Sequence, residues 1–529
     1  MNQIKFFAPI YLCAIISGIL LSLGWPNTGW FPFLFVGFVP FFYGLESIID
    51  SSWKFKWLHL FVLTFITHFI WSGMSISYLY NTSPKTYFIV IVVQSFTLAL
   101  ALFTLGMFNK FRSKYLIGIY IIGAFMSVEY LNQNWMIGSP YFVLGNGLGM
   151  YPSLIQFYEF VGVEGGTLLI LLLNVFAWIS ISQIKSNRSV KLPLFLFALS
   201  LFPFVLSPFL KVVDEPSNKQ LKVAALHTYM ETYSEEGHKD PSLVIDSLWK
   251  MSTADDLSDS ELMVWPETII SNLGWIHNIS NEKAYQTIEG RLSEYPRLSI
   301  CTGGYGFSVV GDDKIDAYSV KDESRNFYYT SHNVALTMSS TGRWPVRSKA
   351  IFIPFQERIP FLDQFPFLRN FADVVGSNTM ISYYEHGDDI HKTSGGNKYA
   401  PILCFESVYP LLMADLGKQS DLILILSNEF WNKDLRGSDQ YMTYHVGMAI
   451  QSRTPIVRSS NSGISVVMNR NGNVLEKRRG KDTGVLKTSI TLKEDETFYE
   501  KISGLFYTLS LIVFPVLFLF GLFKHKWGK

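Results

Sequence analysis

Seven apolar stretches of near-spanning length crowd the chain before residue 211, and an eighth follows only after a long polar interval. They fall at about 7–24, 31–48, 58–79, 86–107, 116–132, 165–184, 193–210 and 503–523. A helix needs about 20 apolar residues to cross the hydrocarbon of a bilayer. Backbone groups in that layer must be paired within protein, and continuous apolar runs of this length fit helices and not the alternating strands of a barrel. The expected fold class is therefore a polytopic α-helical membrane domain of eight spans carrying an inserted polar domain. The boundaries read as 1–210 for seven helices, 211–502 for the insert, and 503–529 for the last span with its tail.

Charge in the short loops predicts which way the spans run. One set of loops carries Lys54 and Lys56; Lys110, Arg112 and Lys114; Lys185, Arg188 and Lys191; and finally Lys524, Lys526 and Lys529. The opposite set, at 25–30 and 133–164, has no Lys or Arg, and the loop at 80–85 has only Lys85. Basic loops stay cytoplasmic. Both termini are thus expected in the cytoplasm and the polar domain on the outer face of the membrane. His68, Glu129 and Glu159 lie in or near spans, where an ionisable group invites a functional explanation.

A formal net charge of +1 and the lack of any basic stripe argue against a nucleic-acid partner. With three cysteines, one of them Cys13 inside the first span, a disulfide scaffold is not expected. Cys301 and Cys404 would share an oxidising compartment and have the option of pairing.

Between 211 and 502 short β-rich runs alternate with helical segments. Candidate strands are 221–226, 262–265, 298–302, 333–338, 402–404, 421–426, 455–458 and 464–468, with amphipathic stretches at 281–295, 408–416 and 438–452. The runs are continuously apolar, as in a sheet covered on both faces. An α/β layered domain follows. In such domains the strands deliver polar side chains to one edge of the sheet.

Three such residues carry complementary chemistry. Glu267 follows Leu262-Met263-Val264-Trp265 and a proline that ends the strand. Lys349 enters the apolar run 350–355, and Cys404 closes the run from Ala400 and leads into a helical pattern. A thiol near a helix N-terminus is expected to ionise easily. Together they supply a base, a cation and a nucleophile, although each alone is more often a turn, a surface charge or a core side chain.

These motifs resemble the nitrilase (carbon–nitrogen hydrolase) superfamily, and with the spans included the chain resembles its membrane-embedded branch, the apolipoprotein N-acyltransferases. The resemblance covers Trp265-Pro266-Glu267, Lys349 with Ile353-Pro354-Phe355-Gln356-Glu357, and Cys404-Phe405-Glu406. Ser427-Asn428 with Trp431, and Arg458-Ser459 with Asn461 and Gly463, fit two further blocks, and the outer loop fits at Gly145–Gly149 and Gln156–Phe160. The family's Tyr-x-Lys is Arg347-Ser348-Lys349 here, its Gly before the second Glu is Gln356, and Met448 and Gln451 stand where it usually has Arg and Glu.

The resemblance implies an αββα sandwich in which Glu267 is the general base, Lys349 stabilises the oxyanion and Cys404 is acylated. Glu357, Glu406 and Asn333 would support them, and Phe405, Trp431 and Arg458 would contact substrate. Neither a metal nor a cofactor is implied. The implied donor is a phospholipid, and the implied acceptor is the diacylglyceryl-cysteine amine of an apolipoprotein. The setting would be a bacterial inner membrane with the catalytic domain on its periplasmic face. The interrupted apolar segment with Phe361, Leu362, Phe365, Phe367, Leu368 and Phe371 reads as a lid or as core. Two other functions fit the residues: a membrane-anchored amidase of the nitrilase type, and a non-catalytic receptor or scaffold on a degenerate nitrilase-like domain.

Overall fold

The computed structural model describes residues 2–26, 28–107, 113–215, 218–232, 239–254, 256–339, 342, 344–369, 382–383, 387–432 and 434–526, with side chains only within 8–522. Lys110, Arg112, Phe371 and Lys529 of the sequence reading lie outside the described residues, as do the side chains of Lys524 and Lys526. The chain forms two compact units, Met1–Lys211 with Lys501–Lys529, and Val212–Glu500.

In the first unit seven helices are long and apolar enough to cross a membrane: Pro32–Asp50, Lys56–Ser75, Pro84–Met107, Lys114–Asn134, Tyr158–Lys185, Lys191–Leu210 and Phe498–Leu522. The shorter apolar helix Ala8–Gly24 corresponds to the first predicted span. Breaks in two of these spans are tied to particular residues. Around Gly37 the second breaks, and the Phe38 N–H is taken by Asn174 Oδ1 at 2.8 Å while Asn174 Nδ2 donates to the Leu34 carbonyl at 2.7 Å. A neighbouring helix thus satisfies the backbone that the break releases. The Tyr158–Lys185 helix contains a kink at Gly162, whose φ of 64° is costly for any residue with a Cβ.

Buried acids join this unit. Glu129 accepts the Leu144 N–H at 2.7 Å, the Thr167 hydroxyl at 3.3 Å and the Tyr507 hydroxyl at 3.1 Å. Glu164 accepts the backbone N–H groups of Gly504 and Tyr507 at 2.9 and 3.2 Å, at the first turn of the last span. His68 pairs with Ser95 at 3.2 Å.

The second unit is built on two sheets. The first contains β1 (Gln220–His227), β2 (Leu262–Val264), β3 (Ile270–Trp275), β4 (Ser299–Val310), β5 (Val320–Asp322), β6 (Phe327–Ser339), β7 (Val346–Ser348) and β14 (Gly484–Thr491). The second contains β8 (His391–Lys392), β9 (Lys398–Leu403), β10 (Leu422–Asn428), β11 (Ile456–Asn461), β12 (Ile464–Met468) and β13 (Val474–Arg479). Their facing sides share one apolar core that includes Val223, Val264, Cys301, Leu403, Leu424 and Val457. Helices Pro241–Ser252 and Lys283–Leu292 cover the outside of the first sheet, where Leu248, Ile288 and Ile300 pack. Pro410–Gln419 and Leu435–Ser452 pack against the second. The order helix, sheet, sheet, helix is the expected αββα sandwich.

Strands β1, β2 and β4 run parallel, as do β9, β10 and β11. A parallel bridge between Thr228 and Asn461 ties the ends of β1 and β11 across the two sheets. The carboxyl ends of both parallel sets therefore converge, and the polar residues just past them meet.

Candidate active site

Glu267 lies three residues beyond β2, on a loop laid flat against β4. Gly303 makes this possible, since a Cβ there would stand 2.5 Å from the Glu267 Cα. Glu267 Oε1 accepts from Lys349 Nζ at 3.0 Å and from the Asn333 side-chain amide at 2.8 Å. Its Oε2 accepts the backbone N–H of Asn428 at 3.1 Å. Three donors from β6, the end of β7 and the end of β10 thus fix one carboxylate.

Lys349 directly follows β7, and its backbone N–H donates to the Asn333 carbonyl at 2.8 Å. Its ammonium is fully buried between Glu267 and Glu357, the latter at 2.7 Å. Burial alone would push this lysine down. The Glu267 and Glu357 carboxylates outweigh burial and raise it well above the ordinary range. Burial also raises Glu357, which Lys349 opposes, and Glu357 Oε2 accepts the Ile353 N–H at 2.8 Å. The apolar run 350–355 forms a loop instead of a strand, wrapped around these acids.

Cys404 closes β9 and opens a single five-residue turn, Cys404–Val408. Its φ is +45°, a left-handed conformation that an ordinary side chain adopts at a cost of about 1–3 kcal/mol. Thr268 and Phe355, at +45° and +64°, place the same strain beside Glu267 and Glu357. The Cys404 thiol is pushed up, by burial first and then by the Glu267 carboxylate, with Lys349 acting in the opposite sense. The expectation of a thiol lowered by a helix N-terminus is thereby corrected. One turn supplies little dipole, whereas burial and two carboxylates, Glu267 and Glu429, are close at hand.

Glu406 is fully buried and binds structure together. It accepts Arg347 Nη1 and Nη2 at 2.6 and 3.3 Å, and the backbone N–H groups of Ala350, Ile351 and Leu403 at 2.7, 3.3 and 2.9 Å. One buried carboxylate therefore fastens the loop after Lys349 to the turn that carries Cys404. Arg347, which replaces the Tyr of the resembled motif, supplies the compensating charge.

The remaining candidates separate. Trp431 is 37% exposed beside Phe430. Phe405 is 2% exposed and packs edge-on against Tyr409, and Arg458 is 1% exposed in an ion pair of 2.8 Å with Glu429. His445 pairs with Ser407 at 3.0 Å, and burial with the charge of Arg458 keeps it neutral. Gln451 donates to the Pro410 carbonyl at 2.9 Å, bracing the start of a helix. Cys301 is a free thiol in the core between the sheets, pushed up to about 12 by burial. From sequence Asn428 stands out only as part of a resembled block, without a role, and Glu429 not at all; the one local signal for Glu429 is its position just past the strongly apolar β10.

The carbon–nitrogen hydrolase family's sequence model matches residues 217–498, the whole of the sandwich. The chain belongs to the carbon–nitrogen hydrolase family. A second family model, the apolipoprotein N-acyltransferase N-terminal domain, matches residues 17–176. This hydrolase-family chain is also similar to whole proteins. Apolipoprotein N-acyltransferase 1 of Treponema denticola is 22% identical, over 97% of this chain and 96% of that protein. Apolipoprotein N-acyltransferase of Geobacter metallireducens is 25% identical over 94% and 92%, and that of Borreliella burgdorferi is 22% identical over 96% and 94%. Within a carbon–nitrogen hydrolase, the cluster of Glu267, Lys349 and Cys404 has the components for acyl transfer through a thiol: an acceptor for its proton, a buried cation for a developing oxyanion, and the sulfur itself.

Proposed function

We propose that the protein is an apolipoprotein N-acyltransferase, moving a fatty acyl chain from a phospholipid to the α-amine of a diacylglyceryl-cysteine lipoprotein. The observation that carries this reading is a Cys404 thiol beside the Glu267–Lys349–Glu357 cluster, in a hydrolase-family sandwich inserted between spans. Similarity to proteins of that name along nearly the whole chain supports it.

The raised thiol means that Cys404 rests with its proton on. Glu267 takes the Cys404 proton as the sulfur attacks an ester carbonyl. Lys349 stabilises the oxyanion, a type of contribution worth a few kcal/mol. The ester C–O bond breaks, the lysophospholipid leaves with the proton, and a thioester remains on Cys404. The lipoprotein amine then attacks that carbonyl, the C–S bond breaks and the amide is released. Asn333 and the Asn428 N–H keep the Glu267 carboxylate aimed through both halves. Glu357 balances the charge of Lys349. Both substrates are lipids, and withdrawing an acyl chain into water costs about 0.8 kcal/mol per CH₂. A bundle of eight spans suits such chemistry better than an anchor for an amidase acting on a soluble substrate.

The catalytic unit stands on the periplasmic face of a bacterial inner membrane, with both termini cytoplasmic. This placement rests on the alternation of basic loops. A cysteine placed at Asn187 is labelled only from the cytoplasmic side; labelling from outside overturns the orientation.

The deciding experiment incubates the purified protein in detergent with phosphatidylethanolamine. The expected result is an acyl mass increase on Cys404, absent in Cys404→Ala and discharged by a diacylated lipopeptide. A wild-type protein that takes up no acyl group but hydrolyses small amides would instead be the anchored amidase. One that does neither would be the receptor or scaffold.

A further inference from the structure

We propose that Ser427, oriented by Arg458, is a catalytic hydrogen-bond donor to the nucleophile's sulfur and acts most strongly when that sulfur leaves. The inference deepens the acyl-transfer reading and rests on it for its second test.

Strands β9 and β10 are parallel neighbours with Leu403 opposite Leu426, so the next residues along each, Cys404 and Ser427, emerge side by side. Ser427 Oγ lies 3.4 Å from Cys404 Sγ. On its other side Arg458 Nη2 donates to the same oxygen at 3.1 Å. All three side chains are buried, Ser427 and Arg458 at 1% exposure and Cys404 at 5%.

The direction of this chain follows from the groups themselves. A guanidinium has donors and no acceptor. Arg458 therefore occupies a lone pair of Ser427, and the one hydroxyl proton is left for the sulfur. A neutral thiol accepts such a bond weakly, and a thiolate accepts it strongly. The donor thus favours states in which negative charge resides on sulfur. It opposes the burial and the Glu267 and Glu429 carboxylates that hold the proton on Cys404.

Arg458 is kept in place by Glu429 at 2.8 Å, itself 1% exposed. Gly463 makes room for that acid, because a Cβ at this position would stand 1.7 Å from Glu429 Oε2. Arg458 belongs to this buried assembly and acts through Ser427, which makes it a positioning residue.

Charge reaches the sulfur twice in the reaction. It appears when Glu267 removes the thiol proton, and again when the amine has attacked the thioester. In the second event the N–C bond forms and the C–S bond breaks. The electron pair stays on Sγ, and the amine proton passes to Glu267 and then to the sulfur. Lys349 serves the carbonyl oxygen, so Ser427 supplies the sulfur's own donor.

The test uses the full-length protein in detergent. Alkylation of Cys404 by iodoacetamide is followed against pH, with the site identified by mass spectrometry. Ser427→Ala is expected to shift the rise in rate upward by roughly one pH unit. It should also slow discharge of the preformed thioester by a diacylated lipopeptide about tenfold or more. Ser427→Thr, which keeps the hydroxyl, should restore both. Arg458→Met should shift the alkylation profile more in the wild-type background than in Ser427→Ala, where only the through-space effect of the unpaired Glu429 remains. An unchanged profile and discharge rate in Ser427→Ala overturns the proposal, as does an Arg458→Met shift that is undiminished without Ser427. If wild-type protein takes up no acyl group from phosphatidylethanolamine, the acyl-transfer reading fails, while the alkylation profile still decides the role of Ser427.

Discussion

Arg347 grips Glu406 through both carboxylate oxygens, at 2.6 and 3.3 Å, with both side chains closed off from water. The pair stands on the two segments that bring Lys349 and Cys404 together. Removing one partner of a buried ion pair strands the other charge and costs about 3–5 kcal/mol. Arg347→Met is expected to lower the thermal unfolding midpoint of the detergent-solubilised protein accordingly, and to reduce acylation of Cys404. The double variant Arg347→Met with Glu406→Gln should be more stable than the sum of its single changes. The neutral amide keeps one acceptor oxygen, for the Ala350 and Ile351 N–H groups or for that of Leu403, without a stranded charge, so strict additivity would refute the coupling.

Asn333 holds Glu267 by a hydrogen bond of 2.8 Å to Oε1. A bond to a charged acceptor is worth about 1.5–3 kcal/mol. Asn333→Leu is expected to slow thioester formation by about tenfold or more, with little change in the secondary structure measured by circular dichroism. A rate equal to wild type would show that Lys349 and the Asn428 N–H alone suffice to aim the carboxylate.

Glu267→Gln separates ionisation from catalysis. Burial and then the Glu267 carboxylate hold the Cys404 thiol above its ordinary range, so thiolate forms only as pH rises beyond that range. Wild-type alkylation by iodoacetamide should therefore keep climbing past about pH 9, where an exposed thiol levels off. In Glu267→Gln the repulsive charge is gone and the climb should begin at lower pH, even though thioester formation from phospholipid is lost. A variant whose alkylation moves to higher pH would contradict this electrostatic account.

Glu164 caps the last span through the N–H groups of Gly504 and Tyr507. Glu164→Gln keeps one of the two acceptor oxygens and should cost less than full removal of the cap. Glu164→Leu leaves buried donors unpaired at about 1–3 kcal/mol, visible as a lower aggregation temperature in detergent. Equal behaviour of the two variants would rule out the cap.

Much of this organisation was legible because hydrophobic runs of different length specify different elements. All eight apolar stretches are helices, and the eight candidate strands lie on or overlap observed ones. What escaped was set by tertiary context. Strand β13 reads Val-Leu-Glu-Lys-Arg-Arg and is almost wholly exposed, so no apolar run announces it. Strands β4 and β6 extend well past their apolar cores, because pairing to each other sustains them where burial does not. The kink at Gly162 depends on packing that a local pattern does not encode. Glu267, Lys349 and Cys404 were found as strand-end residues, whereas the environment of Arg458 was not. An arginine in a short apolar strand looks the same from sequence whether it meets a substrate or a buried glutamate. The thiol's direction of shift was misjudged for a similar reason, since proximity to a helix start is local and burial between two carboxylates is not.

The pairing of β1 with β14 has a consequence for the order in which the protein assembles. Gln220 lies opposite Thr491 and His227 opposite Gly484, so the first and last strands of the catalytic unit are neighbours. Its entrance and exit leave the sheet side by side, as in a cassette that can be carried by one loop of a larger chain. The same arrangement delays completion. The outer side of β1 stays unpaired until the chain has been made as far as Thr491, and the sheet is complete only as the final span begins to emerge.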